Sequence, residues 1–295
     1  MPDSFSQYHP LVNFLWFTGV LLFAMLLMHP VCLGISFLAS IFYAYQLKGG
    51  KALRFQLKVT LPLLLFTAIL SPLFNHQGMT ILLWLPNGNP LTLESILYGL
   101  GAAVMLVTVL NWFTCLQVIL TSDKFIWLFG RLIPSLSLVL SMVLRFVPLF
   151  SAQLKRITAA NRAAGVSLKK GPFAKLKNAL TLFSALVTWS LENAIQTADS
   201  MKSRGYGLPG RTAYSLYTLS RRDKVALVLI VLLVAFLSLG AALDGFFFQY
   251  YPFLSGALLA PLSLCLFGVY LAFCLLPMVI NRYEEEKWHY SKSGI

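Results

Sequence analysis

Apolar residues run almost unbroken from Leu11 to Met28, Val31 to Leu47, Leu57 to Phe74, Glu94 to Leu120, Val225 to Leu243 and Phe253 to Ile280. A helix crossing a bilayer core needs about 20 apolar residues. Six such runs predict an all-α, polytopic membrane protein with about six transmembrane helices. The breaks between them are readable. His29-Pro30 makes a short turn, because proline disfavours helix at the residue before it. Lys48-Gly49-Gly50-Lys51 interrupts the pattern with charge and flexible backbone. Pro62 and Pro72 sit near the ends of the third span, and the sixth is long enough to tilt or to kink at Pro261.

Residues 75–92 break the helical pattern. Met79 to Leu85 is β-prone, and Pro86-Asn87-Gly88-Asn89-Pro90 follows. Asn-Gly is a strong hairpin signal, so a hairpin or ordered loop is expected here. Thr92 is placed to cap the next helix, with Glu94 in its first turn.

From Thr121 onward charge enters the apolar background. Leu132 to Pro148 is apolar but carries Arg145, which is costly inside a membrane. Arg145 is expected either to snorkel at the interface or to pair with Glu192 or Asp199. Residues 149–165 are amphipathic, with Phe150, Leu154, Ile157, Ala160 and Ala164 at helical spacing. After Lys169-Lys170-Gly171-Pro172, a second amphipathic helix is predicted over 173–204. Its apolar row is Phe173, Leu176, Leu180, Phe183, Val187, Leu191, Ala194, Ala198 and Met201. Glu192 and Asp199 lie seven residues apart on nearly one face of it. Gly205, Gly207 and Pro209 then end the helix, as a glycine cap would.

Composition sharpens this picture. The 295 residues are 58% hydrophobic and 11% charged, against about 25% charged in a soluble domain. The formal net charge is +13. Thirteen of the 23 Lys and Arg residues fall between Lys155 and Lys224, and four more between Lys48 and Lys58. Such clustering is what the positive-inside rule produces, so nucleic acid is not the expected partner. Both basic stretches are expected in the cytoplasm, while 75–92 and 244–252, which lack Lys and Arg, are expected outside. The first ten residues also lack Lys and Arg, and no small-residue cleavage site follows Met28. The first run therefore reads as a retained span, not a cleaved leader. The expected layout is N-terminal transmembrane helices over 1–148, a cytoplasmic coupling region over 149–222, C-terminal spans over 223–280 and a cytoplasmic tail over 281–295.

No chemistry-bearing set emerges. His9, His29, His76 and His289 are scattered, and Cys32, Cys115, Cys265 and Cys274 sit singly in apolar runs without a paired spacing. No metal or cofactor is expected, nor a catalytic activity. A long basic amphipathic insertion without an ATP site suggests a subunit that receives force from a partner. It is a segment lying on anionic lipid or a platform for a soluble protein, with arginines gripping carboxylates. The small residues Gly99, Gly101, Ala102 and Ala103 serve helix packing or close contact with a second membrane protein.

Three stretches together carry a resemblance: Arg145-Phe146-Val147-Pro148 leading into a basic helix, the helix end Ala198-Asp199-Ser200-Met201-Lys202-Ser203-Arg204-Gly205-Tyr206-Gly207, and Gly210-Arg211-Thr212-Ala213-Tyr214. With His9-Pro10-Leu11-Val12-Asn13 and the hairpin, the chain resembles the transmembrane T component of energy-coupling factor (ECF) transporters, the EcfT/CbiQ-like family. The resemblance covers almost the whole chain. It implies a multi-pass protein of the bacterial cell membrane that joins a substrate-binding membrane S component to two cytoplasmic ABC-type ATPases. Those partners hydrolyse ATP, and the complex imports a vitamin or transition metal ion. It also implies two Ala-Arg-Gly-like ATPase-docking motifs at helix ends. One is Ser203-Arg204-Gly205. The other falls at Ala163-Ala164-Gly165, where Ala164 stands in the arginine position. Arg162 precedes it by two residues, about 200° around the helix. The alternatives are a conventional ABC permease subunit and a non-transport scaffold with lipid-surface helices.

Overall fold

The computed structural model describes residues 3–84, 89–130, 134–165, 171–209, 217–256 and 261–293. Its helices are α1 (Pro10–Leu26), α2 (Pro30–Lys48), α3 (Gly50–Phe55), α4 (Leu61–Phe74), α5 (Leu93–Ile119), α6 (Ser122–Gly130), α7 (Pro134–Ala163), α8 (Pro172–Ser203), α9 (Arg221–Ala242) and α10 (Pro261–Ser293). Two short antiparallel pairs complete it: β1 (Ile81–Trp84) with β2 (Pro90–Thr92), and β3 (Phe248–Gln249) with β4 (Ser255–Gly256). The architecture is all-α. The hairpin expected at 75–92 is present as β1–β2, although Asn87-Gly88 lies outside the described residues.

Helix starts follow local chemistry. Pro10 and Pro30 each occupy the first position of their helix, where the missing N–H costs nothing. The preceding His9 and His29 accept the N–H of Leu11 and Val31 through Nδ1, both at 3.3 Å. Thr92 caps α5 by accepting the Ser95 N–H at 3.3 Å.

Several boundaries differ from the sequence reading. α3 restarts at Gly50, because Gly49 (φ +59°) reverses the chain in one residue. A π-helical turn at Gln56–Thr60 joins α3 to α4. Among the described residues α10 begins at Pro261, so this proline stands at its first described position and not inside it. α10 also runs on through the polar tail to Ser293. α7 passes through 148, with Pro148 inside it, so no helix boundary falls between 148 and 149.

Among the described residues six helical stretches are long and apolar enough to cross a membrane: Pro30–Lys48, Gly50–Phe74, Leu93–Ile119, Leu138–Ala163, Arg221–Ala242 and Pro261–Lys287. α1, with 17 residues, is about 26 Å long at 1.5 Å per residue. The number agrees with the sequence reading, but the set includes most of α7 in place of α1.

By their contacts the residues form two compact units, one of 1–121 with 217–295 and one of 122–216. In the first, aromatic rings fill the centre. Trp16 meets Trp112 edge-on at 5.4 Å and Tyr43 at 6.2 Å. Trp16 Nε1 donates to the Phe273 carbonyl at 3.0 Å, and Trp112 Nε1 to Ser36 Oγ at 3.0 Å. Both buried indole N–H groups are thus satisfied where no water is available. Small residues of α5 serve packing inside this unit. Ala103 is buried, and a Cβ on Gly99 would lie 2.8 Å from the Ser71 Cβ of α4.

The unit has two polar ends. At one, Tyr250 donates to the Met28 carbonyl at 3.0 Å, Asn75 to Tyr251 Oη at 2.9 Å, and Thr80 to Glu94 at 2.6 Å. The hairpin and the 244–256 loop share this end. The other end gathers residues 3–9, 220–223 and 281–285.

Candidate functional site

In the second unit α7 and α8 are joined by a short connection and touch where the Phe150 and Trp189 rings meet edge-on at 5.8 Å. α8 has no buried residue. Phe173, Leu176, Leu180, Phe183, Val187 and Leu191 of its apolar row are all exposed.

The C-terminal ends of these two helices close alike. At α8 the Gly205 N–H donates to the Lys202 carbonyl at 3.0 Å and the Tyr206 N–H to the Met201 carbonyl at 3.0 Å. This pair of bonds is a Schellman cap. Gly205 sits at φ +77°, where a side chain would be strained. At α7 the Gly165 N–H donates to the Arg162 carbonyl at 3.1 Å, and Gly165 sits at φ +75°. Ala163-Ala164-Gly165 and Ser203-Arg204-Gly205 therefore superpose position by position. Ala164 occupies the place of Arg204. Arg162 occupies the place of Lys202, so it is no displaced copy of Arg204. The spacing of glycine to basic residue held this equivalence, but reading it requires the last helical residue at both ends.

Ser203, Arg204, Arg162, Ala163 and Ala164 are all exposed. Because the cap is made by backbone groups, the Arg204 guanidinium is not needed to satisfy helix carbonyls. Among the described residues it makes no ion pair. Arg145 is exposed and forms no ion pair with Glu192 or Asp199, which are exposed as well. Gly210-Arg211-Thr212-Ala213-Tyr214 lies outside the described residues.

The spacing of the two ends follows from helix geometry. Ala164 is 14 residues beyond Phe150 and Arg204 is 15 beyond Trp189, about 21 and 22 Å at 1.5 Å per residue. The nine steps from Ala163 to Pro172 span at most about 30 Å. The α7 arm leading to this connection and the α8 arm leaving it therefore diverge by less than a right angle. The two C-terminal ends consequently point apart and are roughly 30–45 Å from one another.

A family model described as "Cobalt transport protein", CbiQ, matches residues 3–215, both helix ends included. The chain belongs to the CbiQ family. An energy-coupling factor transporter transmembrane protein EcfT of Lactobacillus helveticus (strain DPC 4571) is 28% identical over 190 residues, covering 61% of this chain and 69% of that protein. EcfT 1 of Listeria monocytogenes serotype 1/2a (strain 08-5578) is 28% identical over 230 residues, 69% of this chain and 85% of that protein. EcfT of Streptococcus equi subsp. equi (strain 4047) reaches 36% over 104 residues, 35% and 39% of the two chains. This CbiQ-family protein is thus a multi-pass membrane T component of the ECF type.

Proposed function

We propose that this T component couples two ABC-type ATPases to a substrate-binding S component, driving ATP-dependent import of a vitamin or a transition metal ion. ATP is hydrolysed by the partner ATPases. The reading rests on the pair of equivalent, glycine-capped helix ends. Each presents an exposed tip held rigidly by its own backbone, and the two point apart by the span of a protein dimer. Arg204 supplies a planar, always-charged fork for an ATPase carboxylate. Ala163-Ala164-Gly165 docks the second ATPase through shape, with Arg162 and Lys202 as matched flanking charges. The exposed apolar row of α8 suits a partner or lipid that covers it. The basic stretches favour a cytoplasmic position for this unit. Arg145, on the α7 side of the Phe150–Trp189 contact, belongs to the membrane-proximal part of the lever, at interfacial depth with its head in water.

Affinity purification from mild detergent tests this. Two ATPase subunits and a small membrane protein should co-purify in stable proportion. Purification without any ATPase would refute the role. A single ATPase-bound complex that transports without a separate S component would indicate a conventional permease.

A further inference from the structure

The coupling unit joins the membrane bundle at two points in the sequence, after Ile119 and before Arg221. The segment Asp3–His9 lies across a cleft from the first and is hydrogen-bonded at the second. Its Asp3, Ser4 and Ser6 line a polar cleft together with Gln46, Val118, Ile119, Asn281 and Glu285. At its other end, the His9 N–H donates to Asp223 Oδ1 at 3.1 Å. The same carboxylate accepts the Ser220 N–H at 2.9 Å and the Ser220 hydroxyl at 2.6 Å, while the Asp223 N–H donates to Ser220 Oγ at 3.2 Å. One buried carboxylate therefore closes the capping box of α9 and holds the first residue before α1. It lies at two helix N-termini, where negative charge is favoured.

Neighbouring groups extend the tie. Arg222 Nη1 donates to Glu284 Oε1 of α10 at 2.8 Å, and its guanidinium lies 4.4 Å over the Tyr8 ring. Asn281 of α10 accepts the Phe5 N–H at 2.8 Å and donates to Asp3, which also accepts from Tyr43 of α2 at 3.2 Å. A lever moves its load only if its roots are fixed.

We propose that Asp3–His9 is a brace that fixes the start of α9, where the chain returns from the coupling unit, to α1, α2 and α10, with Asp223 as its central positioning residue. This inference rests on the coupling role proposed above. Loosening the brace lets the ATPases cycle while the membrane helices lag, so transport per ATP falls although docking persists.

The test uses the full complex in proteoliposomes. ATP hydrolysis is recorded beside uptake from a panel of cobalt(II), nickel(II), riboflavin, folate, biotin and thiamine, followed for whichever the wild type accumulates. Asp223→Ala should keep ATPase co-purification and hydrolysis within about twofold and lower transport per ATP by about tenfold, with Asp223→Glu in between. Arg222→Ala, whose side chain is half exposed and whose loss the fold tolerates, should lower the same ratio by about threefold. It carries the test if Asp223→Ala fails to fold. An unchanged ratio in Arg222→Ala and in folded Asp223→Ala overturns the brace alone. Wild-type protein that never couples hydrolysis to uptake overturns the underlying role and the brace with it.

Discussion

Arg204→Ala separates a docking role from a structural one, because the fold makes little use of this side chain. The guanidinium is exposed and unpaired among the described residues, and the helix end is closed by the Gly205 and Tyr206 N–H groups. Its contribution to folding reduces to a cation near a helix C-terminus, about 0.3–1 kcal/mol. At a protein interface, truncating one member of a hydrogen-bonded charge pair costs about 2–5 kcal/mol. At 1.4 kcal/mol per decade this is roughly a 30- to 4000-fold loss of ATPase affinity. Arg204→Glu should be worse still, since it sets like charges against each other. Arg162→Glu and Lys202→Glu are the matched controls: both lie about 200° from the docking position and should change affinity alike and by less than about fivefold. Ala164→Arg should raise affinity, because it places a guanidinium on the cap equivalent to that of Arg204. The assay is titration of purified ATPase pairs against the protein in lipid nanodiscs, with melting recorded in parallel. Arg204→Glu binding within threefold of wild type, at unchanged melting temperature, would falsify the docking assignment.

Other consequences are as direct. Single cysteines at Asn89 and Lys177 should react with an impermeant thiol reagent from outside only at Asn89; the reverse pattern would overturn the orientation. Replacing Cys32, Cys115, Cys265 and Cys274 by Ala together should leave complex assembly and transport largely intact. The first, second and fourth are buried, unpaired thiols acting as small apolar groups, and a large loss of transport in well-folded protein would reveal a thiol function. Gly99→Val should destabilise α4–α5 packing by about 1–3 kcal/mol, because its side chain would collide with Ser71; an unchanged melting temperature would show that the helices part freely there.

Local signals in the sequence carried much of this fold. His-Pro at α1 and α2, Thr92 before α5, and glycine after α8 act within one turn, so a reader of the chain alone can place them. What escaped notice depends on partners distant in the chain. Ser255-Gly256 reads as part of the last span, yet it pairs as a strand with Phe248-Gln249. Pro148 looks like a boundary, yet α7 continues through it. The position of Arg204 at a glycine-capped helix end was legible from Ser-Arg-Gly, whereas the match of Arg162 to Lys202 needed both helix ends in hand. The brace left no trace in the pattern, for hydrogen bonds such as Phe5 to Asn281 join opposite ends of the chain and impose no period on either.

The separation of the two capped ends bears on why one can lack its arginine. In the complex proposed above, two ATPases paired with each other arrive as a single bivalent body. Once the Arg204 end is seated, the second encounter is intramolecular, at an effective concentration in the millimolar range for short connections. A contact at Ala164 too weak to hold a free ATPase would then stay mostly occupied. Avidity thus lets one tip bind weakly while the other binds tightly, so the handle can be lopsided and still be gripped with both hands.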